Sequence, residues 1–169
     1  TSKINKFHDL ESLASFGFRG EALPSIASIS NFTIRSRPQN QEMGKEININ
    51  YGNLLSEKEM SMPHGTVIQV KDIFTNVPVR LKFLKSTATE FTHIHDFLIA
   101  MALANYHISY RFSHNGREVF HYHSKKTLKE RFHDIVGVDA KDFVELNYFV
   151  KFLFFLILFL NLFRSYSRH

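Results

Sequence analysis

Short stretches of strict alternation, closed off by glycine, constrain this chain most. Residues 31–37 read NFTIRSR, and residues 45–51 read KEININY with Ile47, Ile49 and Tyr51 on one side and Gly44 and Gly52 at the ends. Residues 65–72, GTVIQVKD, are apolar at Val67, Ile68 and Val70. A period of two belongs to a strand with one buried face, so a purely helical fold is excluded. Residues 107–113 alternate as well, Asn115 and Gly116 form a hairpin turn, and residues 118–122 return. Helical spacing fills the gaps. It predicts helices over 9–16 and 23–30, with Pro24 in a first turn where its missing N–H costs nothing. Residues 74–85 start as a turn around Asn76, Val77 and Pro78 and become a basic, apolar-faced helix. Thr87 or Thr89 caps the next helix, whose stripe is Phe91, Ile94, Leu98 and Met101. A last helix covers 125–136. Residues 53–64 are polar and read as loop. This interleaving argues for an α+β fold, a mixed sheet with helices on one face. Residues 1–148 contain no internal repeat and no linker.

Composition is that of a globular chain, 44% hydrophobic and 22% charged, which excludes wholesale disorder and collagen-like repeats. With no cysteine, a disulfide scaffold, a thiolate zinc site and a cysteine nucleophile are excluded. Net charge is +5, from 21 Lys and Arg against 16 Asp and Glu. Lys151, Arg164 and Arg168 supply three of those positive charges with no acid near them, which leaves 18 basic against 16 acidic side chains over residues 1–150. Charge alone therefore does not mark a nucleic-acid binder.

The two ends are unusual. Thr1 opens directly onto patterned sequence and reads as an internal start, with no secretory signal expected. Residues 149–163 read FVKFLFFLILFLNLF, shorter than the roughly 20 apolar residues a bilayer-spanning helix needs. A membrane anchor, a core segment and a shifted reading frame compete for it. The abrupt jump in composition favours the last, and residues 150–169 are given no function.

Residues 16–24 read FGFRGEALP. Gly17 and Gly20 flank Phe18 and Arg19, and a helix follows. Glycines allow successive N–H groups to converge, the helix start adds unpaired donors and partial positive charge, and Arg19 adds a cation. The combination suits a phosphate. It is neither a Walker A loop nor a dinucleotide fingerprint, and a bare G-x-x-G before a helix is most often an ordinary helix entry. Thr1, Ser2 and Lys3 offer two hydroxyls and an ammonium. Gly65 and Thr66 set a hydroxyl at the start of a strand.

Taken together, TSKI, DLESLASFGFRGEALPSIASIS, GTVIQVKDIFTNVPVRLKFLKS and TEFTHI, in this order and at these separations, resemble the MutL/Mlh family of DNA mismatch-repair proteins. That family lies within the GHKL ATPase superfamily, and the resemblance spans residues 1–148. It implies a partial GHKL (Bergerat-type) ATPase sandwich over 1–124, carrying the lid and the last ATP motif. It further implies the start of a ribosomal-S5-like domain over 125–149, then an aberrant apolar tail over 150–169. It sets Thr1, Ser2 and Lys3 where the phosphates are met. Gly17, Phe18, Arg19, Gly20, Glu21, Ala22 and Leu23 match the lid's phosphate-binding turn and helix start. Gly65 and Thr66 match the last motif, the threonine near the adenine. The implied cofactors are ATP and Mg²⁺.

In that family the water-activating Glu, the Mg²⁺-holding Asn and the adenine-binding Asp all precede the block matched by Thr1, so no catalytic residue and no metal ligand is assigned here. Glu21 stands at a helix start, where a carboxylate stabilises the dipole, and is not taken as a base. A lysine that reaches the γ-phosphate, and the family's dimerisation domain with any endonuclease site, lie beyond the match. The implied partners are a MutS-type mismatch-recognition protein, DNA without sequence preference, and a second subunit, like or unlike. The implied location is the cytoplasm of a bacterium or the nucleus of a eukaryote. The rival readings are a topoisomerase-type or histidine-kinase-type GHKL ATPase, against which residues 65–85 argue, and a truncated product with a membrane-associating tail. His93 and His95 point apart on a helix. His121 and His123 share a strand face without an evident third ligand. Arg80, Lys82, Lys85, Lys125, Lys126, Lys129 and Arg131 suit either DNA phosphates or a solvated helix face.

Overall fold

In the computed structural model, which describes residues 20–137, the chain divides into two compact units between Leu84 and Lys85. The first opens with α1 (Ala22–Ala27) and continues through β1 (Asn31–Arg37), β2 (Gly44–Asn50), β3 (Asn53–Met60), β4 (Gly65–Lys71) and α2 (Pro78–Leu81). The strands form one sheet in the order β3-β2-β1-β4. Every pairing in it is antiparallel, so the expected mixed sheet is corrected. Short turns link β1, β2 and β3, and such connections favour antiparallel neighbours.

Register sorts the side chains as the alternation requires. Phe32 and Ile34 of β1 stand opposite Ile49 and Ile47 of β2, and opposite Val70 and Ile68 of β4. Phe32 and Ala27 are the buried apolar side chains of this unit. The other face is polar except at Val67, which stands opposite Arg35. The loop expected over 53–64 is instead strand β3 over its first eight residues. Burial did not announce it, because nearly every side chain of β3 is exposed. Its pairing to β2 is reinforced by polar groups instead: Lys45 with Glu57 at 3.1 Å, Lys58 with Glu46 at 3.1 Å, and Asn48 with Ser56 at 2.9 Å. The helix expected to reach residue 85 shrinks to the single turn of α2. With Val79 67% exposed and no buried residue in the turn, packing does not support further propagation.

The second unit holds α3 (Thr87–Ala104), β5 (Tyr110–His114), β6 (Arg117–Tyr122) and α4 (Leu128–Val136). The N-cap of α3 is Ser86, not Thr87 or Thr89. Its extended backbone aims the hydroxyl at the Thr89 N–H, 3.3 Å away. β5 and β6 form the expected hairpin, with Asn115 and Gly116 at φ 50° and 75°. Phe91 of α3 stacks on Phe112 of β5 with ring centroids 5.7 Å apart, and Phe112 meets Phe120 at 5.5 Å. Of the α3 stripe, Phe91, Leu98 and Met101 are half-buried, whereas Ile94 is 50% exposed. Thr127 caps α4 by accepting from the Glu130 N–H, while Glu130 reaches back to the Lys126 N–H, a reciprocal pair. That cap starts α4 at Leu128 instead of residue 125. The helix expected over 9–16 and the apolar run over 149–163 lie outside the described residues.

Candidate functional site

Of the residues expected to meet a nucleotide, Thr1, Ser2, Lys3, Gly17, Phe18 and Arg19 lie outside the described residues. Gly20 takes φ 72°, and a Cβ added there would meet nothing within 4 Å. The left-handed backbone, not crowding, is what favours glycine. Glu21 follows as the N-cap of α1, and its carboxylate makes no capping bond. The first backbone bond into the helix runs from the Ser25 N–H to the Glu21 carbonyl at 3.0 Å. Among the described residues nothing caps the Ala22 and Leu23 N–H groups, while Pro24 has no N–H to satisfy. Uncapped donors at the positive end of a helix fit an anion.

Gly65 and Thr66 begin β4, opposite Arg37 and Ser36 at the end of β1. The Thr66 and Ser36 hydroxyls are 2.8 Å apart. α1 delivers the chain to the start of β1, so Thr66 lies one strand length away from that junction. Among the described residues, no hydrogen bond joins Thr66 to residues 20–23.

A polar elbow escaped the sequence reading. Where α1 turns into β1, the Gly52 N–H donates to the Ala27 carbonyl (2.9 Å) and the Tyr51 N–H to Ser30 (3.0 Å). From the other side, the Phe74 N–H donates to Ile29 (2.8 Å), and the Asn76 amide donates to Ser28 (3.1 Å). The Asn31 amide donates to the Asp72 carboxylate at 2.8 Å, and the Tyr51 hydroxyl donates to the Asp72 carbonyl at 3.2 Å. Tyr51, Asp72 and Phe74 all take positive φ to make these contacts, a conformation that costs a side-chain-bearing residue free energy. The only signal for it in the sequence was the turn chemistry around Asn76 and Pro78.

A second polar cluster spans the outer face of the sheet. Glu46, 5% exposed, receives the Arg35 Nε at 2.5 Å, the Lys58 ammonium at 3.1 Å and the Asn48 amide at 3.0 Å. Asn48 in turn accepts from Thr33 at 2.7 Å. The Arg35 guanidinium foremost, then Asn48 and Lys58, hold the Glu46 carboxyl at about 2, against an ordinary 4.5.

In the second unit, Arg131 is fully buried and leaves the set of candidate DNA contacts. Its Nη2 donates to the carbonyls of Tyr106 (3.0 Å), Ile108 (2.7 Å) and His123 (2.9 Å), and its guanidinium lies 5.5 Å from the centre of the Tyr122 ring. Burial pushes the Tyr122 phenol up, with Arg131 pulling the other way. Lys125 is ion-paired with Asp134 at 2.9 Å. The His121 and His123 rings are 4.2 Å apart, and the Arg111 guanidinium lies 3.2 Å from His121. Among the described residues no three His, Cys, Asp or Glu side chains gather for a metal ion, and no helix is long and apolar enough to cross a membrane.

No family model matches the chain. Its sequence is similar to "DNA mismatch repair protein MutL" of Persephonella marina, 47% identical over 148 residues, covering 88% of this chain and 28% of that protein. The protein of the same name from Limosilactobacillus reuteri is 45% identical over 140 residues, covering 83% and 21%. That from Clostridium tetani is 42% identical over 149 residues, covering 88% and 24%. The chain thus spans about a quarter of the length of these relatives. In three dimensions it is similar to the Aquifex aeolicus MutL ATPase domain complexed with ADP, with a TM-score of 0.68 and 35% identity over 80% of this chain and 53% of that one. A second structure of that ATPase domain gives a TM-score of 0.61 and 32% identity over 72% and 49%. The α+β fold with its antiparallel sheet is that of these GHKL ATPase domains.

Proposed function

The chain belongs to the MutL family, in sequence and in fold, and from that premise we propose that it carries the phosphate-side lid of an ATP site serving as a switch in DNA mismatch repair. The observation that carries this is the glycine-led, uncapped start of α1. It belongs to a chain of which 80% is similar in three dimensions to an ATPase domain complexed with ADP. In this reading Gly20 turns the backbone so that the Ala22 and Leu23 N–H groups donate to phosphate oxygens. Gly17, Phe18 and Arg19 complete the turn, and Arg19 adds charge. Thr1, Ser2 and Lys3 meet the phosphates as well, and the Thr66 hydroxyl serves the adenine end. Mg²⁺, when bound, neutralises phosphate charge, and its ligand is not assigned to this chain. Hydrolysis needs a positioned base and a metal. We assign neither role to a residue of this chain.

The parent activity we propose is Mg²⁺-dependent ATP hydrolysis that couples mismatch recognition to strand removal. Its partners would be a MutS-type recognition protein, DNA contacted through phosphates, and a second subunit. Residues from 125 onward open the second, S5-like domain in this reading.

Titration of the full chain with a fluorescent ATP analogue and Mg²⁺ tests the lid. Gly20→Ala, which forces a Cβ onto a left-handed backbone, should weaken binding about tenfold, and the loss should be larger for ATP than for ADP. Unchanged affinity would remove the lid from the site. Mg²⁺-dependent turnover that persists through purification would show that a base had been overlooked.

A further inference from the structure

We propose that Asn76 and Asp72 are positioning residues: from the turn after β4 they fix the elbow between α1 and β1, and so set where the glycine-led segment 20–23 is held. This rests on the nucleotide reading above for what the segment binds, but the clamp itself rests on the bonds at the elbow. Those bonds are unevenly placed. The C-terminal end of α1 and its exit into β1 accept hydrogen bonds from both neighbouring turns, from Tyr51 and Gly52 between β2 and β3 and from Phe74 and Asn76 after β4, and Asn31 at the exit donates to the Asp72 carboxylate. The N-terminal end has no side-chain cap. A six-residue helix does not hold itself together, so its direction is set where it is tied.

The tie is also kept against a cost. Asp72 and Phe74 adopt φ 53° and 64°, and a bulky side chain in that region persists only where surrounding contacts enforce it. The contacts made in return are the Phe74 N–H to the Ile29 carbonyl and the Asp72 carboxylate to the Asn31 amide. The Thr75 hydroxyl on the Asp72 carbonyl, at 2.9 Å, closes the turn from within. α2 follows directly on the same turn.

Amide hydrogen exchange on the full chain tests the clamp without requiring nucleotide. Asn76→Ala should speed exchange at Ser25, Ser28 and Ile29 about fivefold, with β2 and the β5–β6 hairpin unchanged. Asn31→Asp, which sets two carboxylates face to face, should do the same. Adding Asp72→Asn to it restores a donor–acceptor pair with the roles exchanged and should return exchange to the original rate. Unchanged α1 exchange in both single variants overturns the proposal. So does equal acceleration across the whole first unit, or failure of the double variant to recover. Titrating the same proteins with the fluorescent ATP analogue separates the two readings. If the unaltered chain binds no nucleotide, the lid assignment falls, while the exchange rates still decide the clamp.

Discussion

A carboxylate with 5% of its surface exposed keeps its charge only if donors replace the water it has lost, and Glu46 has three. Because its carboxyl sits at about 2 when folded and near 4.5 otherwise, the native state gains stability from it above pH 4.5. That gain fades as the pH falls from 4.5 toward 2. Circular dichroism melts should show the midpoint dropping across that window, and Glu46→Gln should flatten the drop while lowering the midpoint at pH 7. Arg131 is the counterpart in the second unit. One nitrogen, with two N–H groups, lies within hydrogen-bond distance of three carbonyls around the hairpin, and the buried planar guanidinium that puts it there, beside the Tyr122 ring, is not matched in shape by an ammonium on a shorter, flexible stem. Arg131→Lys should cost about 2 kcal/mol in a denaturant titration. An unchanged midpoint would mean that the guanidinium fills space and does little else. Neither role was legible in the sequence. Arg131 reads there as one cation of a basic helix, because its partners are backbone carbonyls that only the folded chain brings to it.

Among elements, the capped helices and the tight strand start make separate claims. Ser86→Ala removes the hydroxyl that meets the Thr89 N–H and should destabilise α3 by about 1 kcal/mol, measured by urea titration. Gly44 opens β2 where a Cβ would lie 2.8 Å from the Met62 side chain and 3.0 Å from the Ser36 carbonyl. Gly44→Ala should therefore cost about 1–2 kcal/mol. Met62→Ala in the same chain should recover only part, since the carbonyl cannot move aside. β1, β2, β4 and the hairpin were legible because each has one face that alternates. β3 was not, because it is exposed on both faces, Leu54 and Leu55 included, and its place is set by partners on β2. α2 was over-read for the opposite reason. Its basic and apolar residues recur at helical spacing, yet with Val79, Leu81 and Leu84 exposed no buried face rewards the extra turns. For the candidate site, the glycine turn and the helix start were legible from residue type. The elbow that holds them was not, because its donors come from two turns more than twenty residues downstream in the chain.

At the scale of the sheet, the two strands that form its edges among the described residues are unlike. β3 presents Glu57, Lys58 and Glu59, charges that discourage pairing with another chain. β4 presents Val67, Ile68 and Val70, each more than 40% exposed. Concentration-dependent association should therefore run through β4. Val67→Lys should lower light scattering at high protein concentration and leave the circular dichroism spectrum intact; undiminished scattering would point to another surface. The polar ladder on the same sheet has a bearing on assembly of another kind. Asn48 serves Thr33, Glu46 and Ser56 at once, and Glu46 serves Arg35 and Lys58 from neighbouring strands. If β2 slid by one residue, its carboxylate would turn to the side of Phe32 and an isoleucine would face the cations. Three strands thus carry a shared password, and a slipped pairing forfeits it.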